Sequence, residues 1–270
     1  MLFCEAMRVI IASKADPTSM KIAEILIDSY GFQEIGRSLY RRREVFLKII
    51  EEKHIYCNGL AEDLDPDLAI VASSHKSEAG IRALLTHPVG NWGEDASVGG
   101  LPKTLSPTSA AALYTSLHAL SEEASNLKLA QWSIGLEVTH HGPATKIPLI
   151  YVEAGGPPGE IPEEKALEAV AYACVKVAES SFNAPPATIG FGGGHYAPCF
   201  TRLALNQEYS FGHMCPKYAM PVSREMIIQA FEKTIEKPKL AVIDWKGLRS
   251  RDRAELISVL EELGVEWVKA

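Results

Sequence analysis

With 270 residues, 47% of them apolar and 23% charged, the chain can bury a sizeable core as one large α/β domain or two closely joined lobes. Its net charge of −7 argues against coating nucleic acid in general, because phosphate binding needs lysine and arginine to displace counterions. No apolar run reaches the roughly 18 to 20 residues of a membrane helix, and MLFCEAMR lacks a basic stretch followed by a long apolar one, so a cytoplasmic protein with no membrane partner is expected.

Met7 to Ser13 reads as a buried strand, and Ile22, Ala23, Leu26 and Tyr30 share one face of a helix over about 19–30 that Gly31 stops. The fold is expected to begin at Met7, with residues 1–6 a patternless, disordered extension; translation from Met1 and from Met7 are both open. VFLKII (45–50) and HIYC (54–57) read as a hairpin. LAIVAS (68–73) carries no charge and is bounded by turn formers, the pattern of a central strand buried on both faces. Thr108 or Ser109 caps an alanine-rich helix running to about Lys128. QWSIGLEV (131–138) and IPLIYVEAGG (147–156) are strands, and Pro162 opens a helix whose apolar stripe is Leu167, Val170, Ala171, Cys174, Val177 and Ala178. A short helix near 201–206, a strand at YSFGH, a helix over 223–234, a strand at KLAVID, a helix over 251–263 and a terminal strand VEWV complete the chain.

This alternation predicts an α/β fold: a central, mainly parallel or mixed sheet with helices on both faces, forming a single catalytic unit over 7–270. Ligands of such sheets sit outside the carboxyl ends of the strands. The five cysteines, Cys4, Cys57, Cys174, Cys199 and Cys215, are scattered and never spaced C-x-x-C, so neither a disulfide framework nor a thiolate zinc site is indicated.

Two stretches carry the chemistry. EVTHHGP (137–143) puts Glu137, His140 and His141 where a strand breaks at a Gly-Pro stop, and ATIGFGGGHYAP (187–198) runs from a strand through Gly192, Gly193 and Gly194 to His195. Five of the eight histidines, His75, His87, His140, His141 and His195, fall at or just beyond strand ends, and His213 ends another. Zinc ligation, acid–base catalysis and structural hydrogen bonding all suit such a set. Neighbouring side chains on an extended chain point oppositely, so His140 and His141 share a metal only if the strand has broken there. Glu137 becomes useful if the turn brings it to an imidazole whose tautomer it holds. The three glycines leave backbone N–H groups open to an anion or an oxyanion. Asn91 and Trp92 in GNWG offer a hydrogen bonder and a stacking surface. Between Lys237 and Arg253 six cations face two anions, which makes Arg249, Arg251 and Arg253 candidates for a confined RNA contact.

LTHPVGNWG (85–93), EVTHHGP, GFGGGHYAP, FGHMCPKYAMPVS (211–223) and DWKG (244–247), in this order, closely resemble the archaeal and plant type of D-aminoacyl-tRNA deacylase, whose activities include D-tyrosyl-tRNA deacylation; the match extends from Met7 to the C-terminus. One departure is ASSHKS (72–77), where Ser74 and Lys76 stand in place of an expected arginine and serine around His75.

The resemblance implies a phosphorylase/hydrolase-like fold and zinc-dependent hydrolysis of the ester between a D-amino acid and the tRNA 3′ end, with free D-amino acid as product. Glu137, His140, His141 and His195 suit that reaction and are the expected catalytic residues. His87, His140, His141 and His195 then become the expected metal ligands. His75, Asn91, Trp92, Gly192, Gly193, Gly194, His213 and Lys217 are the expected contacts to the aminoacylated acceptor end. A monomer is expected. A nucleoside phosphorylase-like transferase, which would use the glycine loop for inorganic phosphate, and a non-catalytic tRNA-binding protein are the alternatives.

Overall fold

The computed structural model describes residues 6–270; residues 1–5, with Cys4 and most of the expected N-terminal extension, lie outside them. In chain order the elements are β1 (Arg8–Ser13), α1 (Pro17–Asp28), β2 (Gln33–Gly36), β3 (Leu39–Arg42), β4 (Val45–Ile50), β5 (Leu68–Lys76), β6 (Ala83–His87), β7 (Gly90–Asn91) and β8 (Thr104–Leu105). There follow α2 (Ala110–Asn126), β9 (Ser133–Leu136), β10 (Leu149–Gly156), α3 (Glu164–Ala178), β11 (Ala187–Phe191), α4 (Pro198–Leu205), β12 (Ser210–Cys215), α5 (Arg224–Glu232), β13 (Leu240–Ile243), α6 (Ser250–Glu262) and β14 (Glu266–Lys269).

The helices begin where side chains satisfy their first N–H groups. Asp16 accepts from the Thr18 and Ser19 amides at α1, Ser109 from Ala112 at α2, and Ser223 from Met226 at α5. Pro162 stands just ahead of α3, whose N-cap is Glu163.

Apart from the two-stranded ribbon β7-β8, the strands divide between a large mixed sheet, β2-β3-β4-β1-β5-β10-β6-β9, and a small parallel one, β12-β11-β13-β14. Alternation along the chain foretold the α/β class, but it does not say which strands share a sheet. Residues 54–56 form a 3-10 turn and not the expected second strand of a hairpin. The reason is that β4 already has β1 on one edge and β3 on the other, so no ladder is left for them.

Helices cover the small sheet on both faces. Met226 and Ile227 of α5 and Leu256 and Leu260 of α6 pack with Ile189, Ala241 and Ile243, while Leu117 of α2 and Phe200 and Leu203 of α4 pack with Phe211 and Val242. The large sheet differs. α1, α2 and α3 pack with Ile10, Ile70, Ala72, Leu84, Ile150 and Val152 on one face only. Opposite them lie Val9, Val71, Leu149 and Tyr151, covered by Ile55, Leu60 and Ala61 from the loop after β4. Strand alternation then sends Ser73, His75 and Glu153 to the helix-free face with Tyr151. α2 packs against β6 and β9 of the large sheet and β11 and β12 of the small one. No helix among the described residues is long and apolar enough to cross a membrane.

Candidate active site

Five chain segments bring imidazoles and carboxylates together on the helix-free face. Pairing across β6 and β10 sets His87 beside Tyr151, and their rings stack at 5.1 Å. β9 runs parallel to β6 and ends at Leu136, beside Thr86, so the next residue, Glu137, emerges level with His87. Pairing of β5 with β10 brings Ser73 level with Glu153. From the small sheet, the loop after β11 delivers His195.

The strand does break at the two histidines. His141 adopts φ 44°, the left-handed region that non-glycine residues seldom enter, and this reversal turns both rings the same way, 4.4 Å apart. His140 lies 4.2 Å from the His87 ring and 4.5 Å from the His195 ring. Their inner nitrogens are anchored: His140 Nδ1 lies 2.8 Å from the Val138 carbonyl and His87 Nδ1 3.0 Å from that of Pro88. An Nδ1–H held by a carbonyl leaves Nε2 as the lone-pair nitrogen.

Glu137 is wholly buried beneath these rings. Its Oε1 lies 2.8 Å from His195 Nε2 and 3.5 Å from His75 Nδ1, and its Oε2 3.9 Å from His87 Nε2. Proximity is not saturation, however. Both oxygens, and His87 Nε2, are buried without a properly directed hydrogen bond. A second buried carboxylate, Glu153, lies 3.6 Å from His87 Nε2 and 3.7 Å from His75 Nδ1. Burial would push its carboxyl up, but attraction to His75 and His87 outweighs that and holds it well below the usual range. The converse applies to His75 and His87. Burial disfavours their charge, yet Glu153 and Glu137 raise both above the ordinary imidazole value. His140 and His141 show the opposite balance: burial, reinforced by the His87 charge, lowers His140 well below the ordinary value and His141 to about 3.

Two buried carboxylates require positive charge nearby. Protons on His75 and His87 are one source; a divalent cation is the other. Three sets of potential ligand atoms each lie within 4.8 Å of one another: His87, His140 and His141; Glu137, His140 and His195; His75, Glu137 and Glu153. Nitrogen with one or two carboxylate oxygens is a donor set that zinc accepts, and the unpaired atoms of Glu137 and His87 are what such an ion would satisfy.

Other candidates take different places. His75 is buried, bridging the two glutamates through Nδ1, with Nε2 3.1 Å from the Tyr196 hydroxyl. Ser74, beside it, gives its amide to Asp16. Asn91 is spent on the carbonyls of Gly99 and Leu101, and Trp92 is packed in the core under the small sheet. His213 is fully buried with Nδ1 3.2 Å from Thr139 Oγ1, and burial together with the Lys233 charge lowers it to about 3. It shapes the strand leading to His140 but has no path to a ligand.

The glycine loop is less open than expected. Gly192 donates to Cys215 and Gly193, at 3.4 Å, to Gly247; among the described residues Gly194 alone of the three has an N–H with no backbone acceptor. Gly193, at φ 78°, lets the loop close on Asp244, whose Oδ2 would stand 3.0 Å from an added Cβ. Of the arginines, Arg253 stacks 4.6 Å over Trp245 and donates to the Trp245 and Leu248 carbonyls, and Arg251 pairs with Glu255. Only Arg249 among them, with Lys217, borders a concavity beside the site.

Three residues at this centre were not singled out as site groups. Glu153 read as the end of a strand, and Tyr196 and Tyr218, although inside GFGGGHYAP and FGHMCPKYAMPVS, were given no role. Tyr196 donates to Ser77 at 3.3 Å, and Tyr218 Oη lies 3.3 Å from His195 Nδ1. Its hydroxyl end is tucked against the site, and this partial burial, with Glu137 nearby, pushes it up to about 12, so it stays protonated.

Comparison with known proteins converges on one family. The sequence profile described as D-aminoacyl-tRNA deacylase matches residues 62–268. A D-aminoacyl-tRNA deacylase of Thermococcus kodakarensis is 34% identical over 276 residues, covering 97% of this chain and 100% of the relative. That of Pyrococcus abyssi is also 34% identical, with the same coverage. The crystal structure of a conserved protein of unknown function superposes with a TM-score of 0.89 at 26% identity, covering 98% of this chain and 95% of the other.

Proposed function

The chain belongs to the D-aminoacyl-tRNA deacylase family, and on that premise we propose how its residues carry out hydrolysis of the ester joining a D-amino acid to tRNA. The carrying observation is the Glu137–His195 pair: a buried carboxylate 2.8 Å from Nε2 of the imidazole that, at 37% side-chain exposure, reaches solvent.

A proton on His195 Nε2, facing the Glu137 carboxylate at 2.8 Å, leaves Nδ1 as the basic atom. Nδ1 faces the Tyr218 hydroxyl at 3.3 Å, a weak contact that an incoming water can replace. Nδ1 takes a proton from that water as its oxygen attacks the ester carbonyl. The same proton then passes to the ribose oxygen as the acyl bond breaks, giving free D-amino acid and tRNA. The Gly194 N–H is the donor available to the developing oxyanion. A zinc ion held by His87, His140 and His141, or by Glu137, His140 and His195, would polarise the carbonyl and the attacking water as a Lewis acid. The neutral character of His140 supports either set, and that of His141 the first. Arg249 and Lys217 contact the RNA. The reading extends to a cytoplasmic monomer.

The decisive experiment is incubation of D- and L-tyrosyl-tRNA with the protein, with and without a chelator. Release of D-tyrosine that stops on chelation and returns with zinc is expected. Survival of full activity after exhaustive chelation would leave the histidines acting without metal.

A further inference from the structure

His195 has a tyrosine on each of two separate cavities. Tyr196, its ring 5.6 Å from that of His195, lines an apolar cavity of about 520 Å³ with Ile81, Leu85, Ile134 and Leu205. Tyr218, in contact with His195 Nδ1, lines another of about 490 Å³ with Lys217, Lys246, Arg249 and Asp252. The two share no residue. The first is built on the β6–β9 edge and α4, and the second on the segments after β12 and β13.

The basic cavity is tied to the catalytic loop: Lys217 N–H donates to the Gly193 carbonyl at 3.0 Å, and Gly193 N–H points at Gly247. Lys217, Lys246 and Arg249 form no ion pair with any described residue. In a chain of net charge −7, three unpaired cations bordering one concavity with a single anion repel one another and favour a bound anion.

We propose that these cavities fix the direction of the substrate across His195. The acyl side chain lies in the apolar cavity by Tyr196, and a phosphodiester of the RNA strand lies in the basic cavity by Tyr218. This rests on the deacylase reading and extends it. The proton leaving Nδ1 must reach the ribose oxygen, and Nδ1 faces Tyr218, so the ribose and the strand beyond it lie on that side. The acyl group, on the other side of the breaking bond, falls towards Tyr196, where a cavity of this size and polarity suits a large apolar or aromatic side chain.

The test compares substrates that differ in one half only. For the RNA half, D-tyrosyl-tRNA and D-tyrosine methyl ester are hydrolysed by the parent and by the triple variant Lys217→Ser/Lys246→Ser/Arg249→Ser. The preference for the tRNA ester, as a ratio of kcat/KM values, should fall about tenfold or more, and the slope of log KM against log salt should flatten by about 2, near 0.7 for each single-strand phosphate left without its cation. A triple variant of equal charge change on the outer helices, Lys21→Ser/Lys165→Ser/Lys176→Ser, should keep both. For the acyl half, Leu205→Trp, or Ile81→Trp at the exposed rim should the first fail to fold, is expected to cut the D-tyrosyl over D-alanyl preference about tenfold. Inorganic phosphate should compete with charged tRNA in the parent and lose that effect in the triple variant. Unchanged preferences in an active enzyme would overturn this inference alone, whereas phosphate that accelerates turnover would point to phosphorolysis and overturn the functional reading with it. A parent protein that deacylates no D-aminoacyl-tRNA would overturn the functional reading and this inference together.

Discussion

Two chains of carboxylate, imidazole and phenol run through this protein with the same atoms in the same order. In one, Asp16 Oδ2 lies 3.4 Å from His54 Nε2, and His54 Nδ1 3.1 Å from the Tyr151 hydroxyl. In the other, Glu137 Oε1 lies 2.8 Å from His195 Nε2, and His195 Nδ1 3.3 Å from the Tyr218 hydroxyl. The first is saturated. Asp16 caps α1 through the Thr18 and Ser19 amides and also accepts from the Ser74 amide, and its histidine and tyrosine are buried. Burial opposes its charge, but His54 and Ser74 outweigh that and hold the acid below its usual value. In the second chain neither carboxylate oxygen accepts a properly directed hydrogen bond, and the tyrosine is 62% exposed. Shared wiring therefore does not make a catalytic base. What separates the two is an unsatisfied acid at one end and solvent at the other.

The sharpest way to break this contrast is to remove each imidazole in turn. His195→Ala should lower turnover of D-tyrosyl-tRNA by about a hundredfold or more, in line with loss of a general base, with affinity for uncharged tRNA and the thermal midpoint kept. Deacylation at the parental rate would move the assignment to His140 and His141. His54→Ala should instead cost stability, about 2 kcal/mol by denaturant unfolding, because Asp16, Ser73 and Tyr151 lose a buried partner. Its folded fraction should turn over within a few-fold of the parent; a collapse in turnover at unaltered stability would make the inner chain part of the chemistry.

The phenols sharpen the same contrast with smaller effects. Tyr218→Phe removes only a weak bond to Nδ1 and should reduce turnover about threefold with no change in unfolding midpoint, whereas Tyr151→Phe should cost about 1 kcal/mol of stability. Equal effects of the two on turnover would erase the distinction.

The smallest effect concerns His213, a buried histidine with no carboxylate partner. Its value is lowered to about 3 in the folded protein from 6.5, so between those limits the unfolded chain binds more protons and stability falls as pH falls. His213→Phe should flatten the decline of the thermal midpoint between about pH 6.5 and 4. A decline as steep as the parent's would show that the ring is not neutral when folded.

These contrasts also mark what could be read from the residues. EVTHHGP and GFGGGHYAP were legible because their chemistry is local: a turn follows a strand, and the side chains it releases are adjacent in sequence. Glu153 was not, since a carboxylate within IPLIYVEAGG becomes a site group only when β5 and β6 pair on either side of β10 and bring His75 and His87 to it. Asp16 carried no reading of its own, and while it caps α1, its bond to His54 depends on where the loop after β4 returns. The surroundings of the cationic run were hidden for the same reason. Sequence shows that Arg253 is charged, not that Trp245 lies beneath it. Strand and helix positions were mostly anticipated, but partition into two sheets depends on register between distant segments, which periodicity does not encode.

One helix has a mechanical consequence. α2 packs against β6 and β9 on one side and β11 and β12 on the other, so it acts as a common rib beneath the groups supplied by both sheets. A clamshell motion of one sheet against the other would tear that packing apart, at a cost spread over many buried side chains. Substrate must therefore be admitted by local movement at the mouth, such as rotation of the exposed Tyr218 side chain, while the imidazoles and carboxylates beneath keep their spacing through the whole cycle.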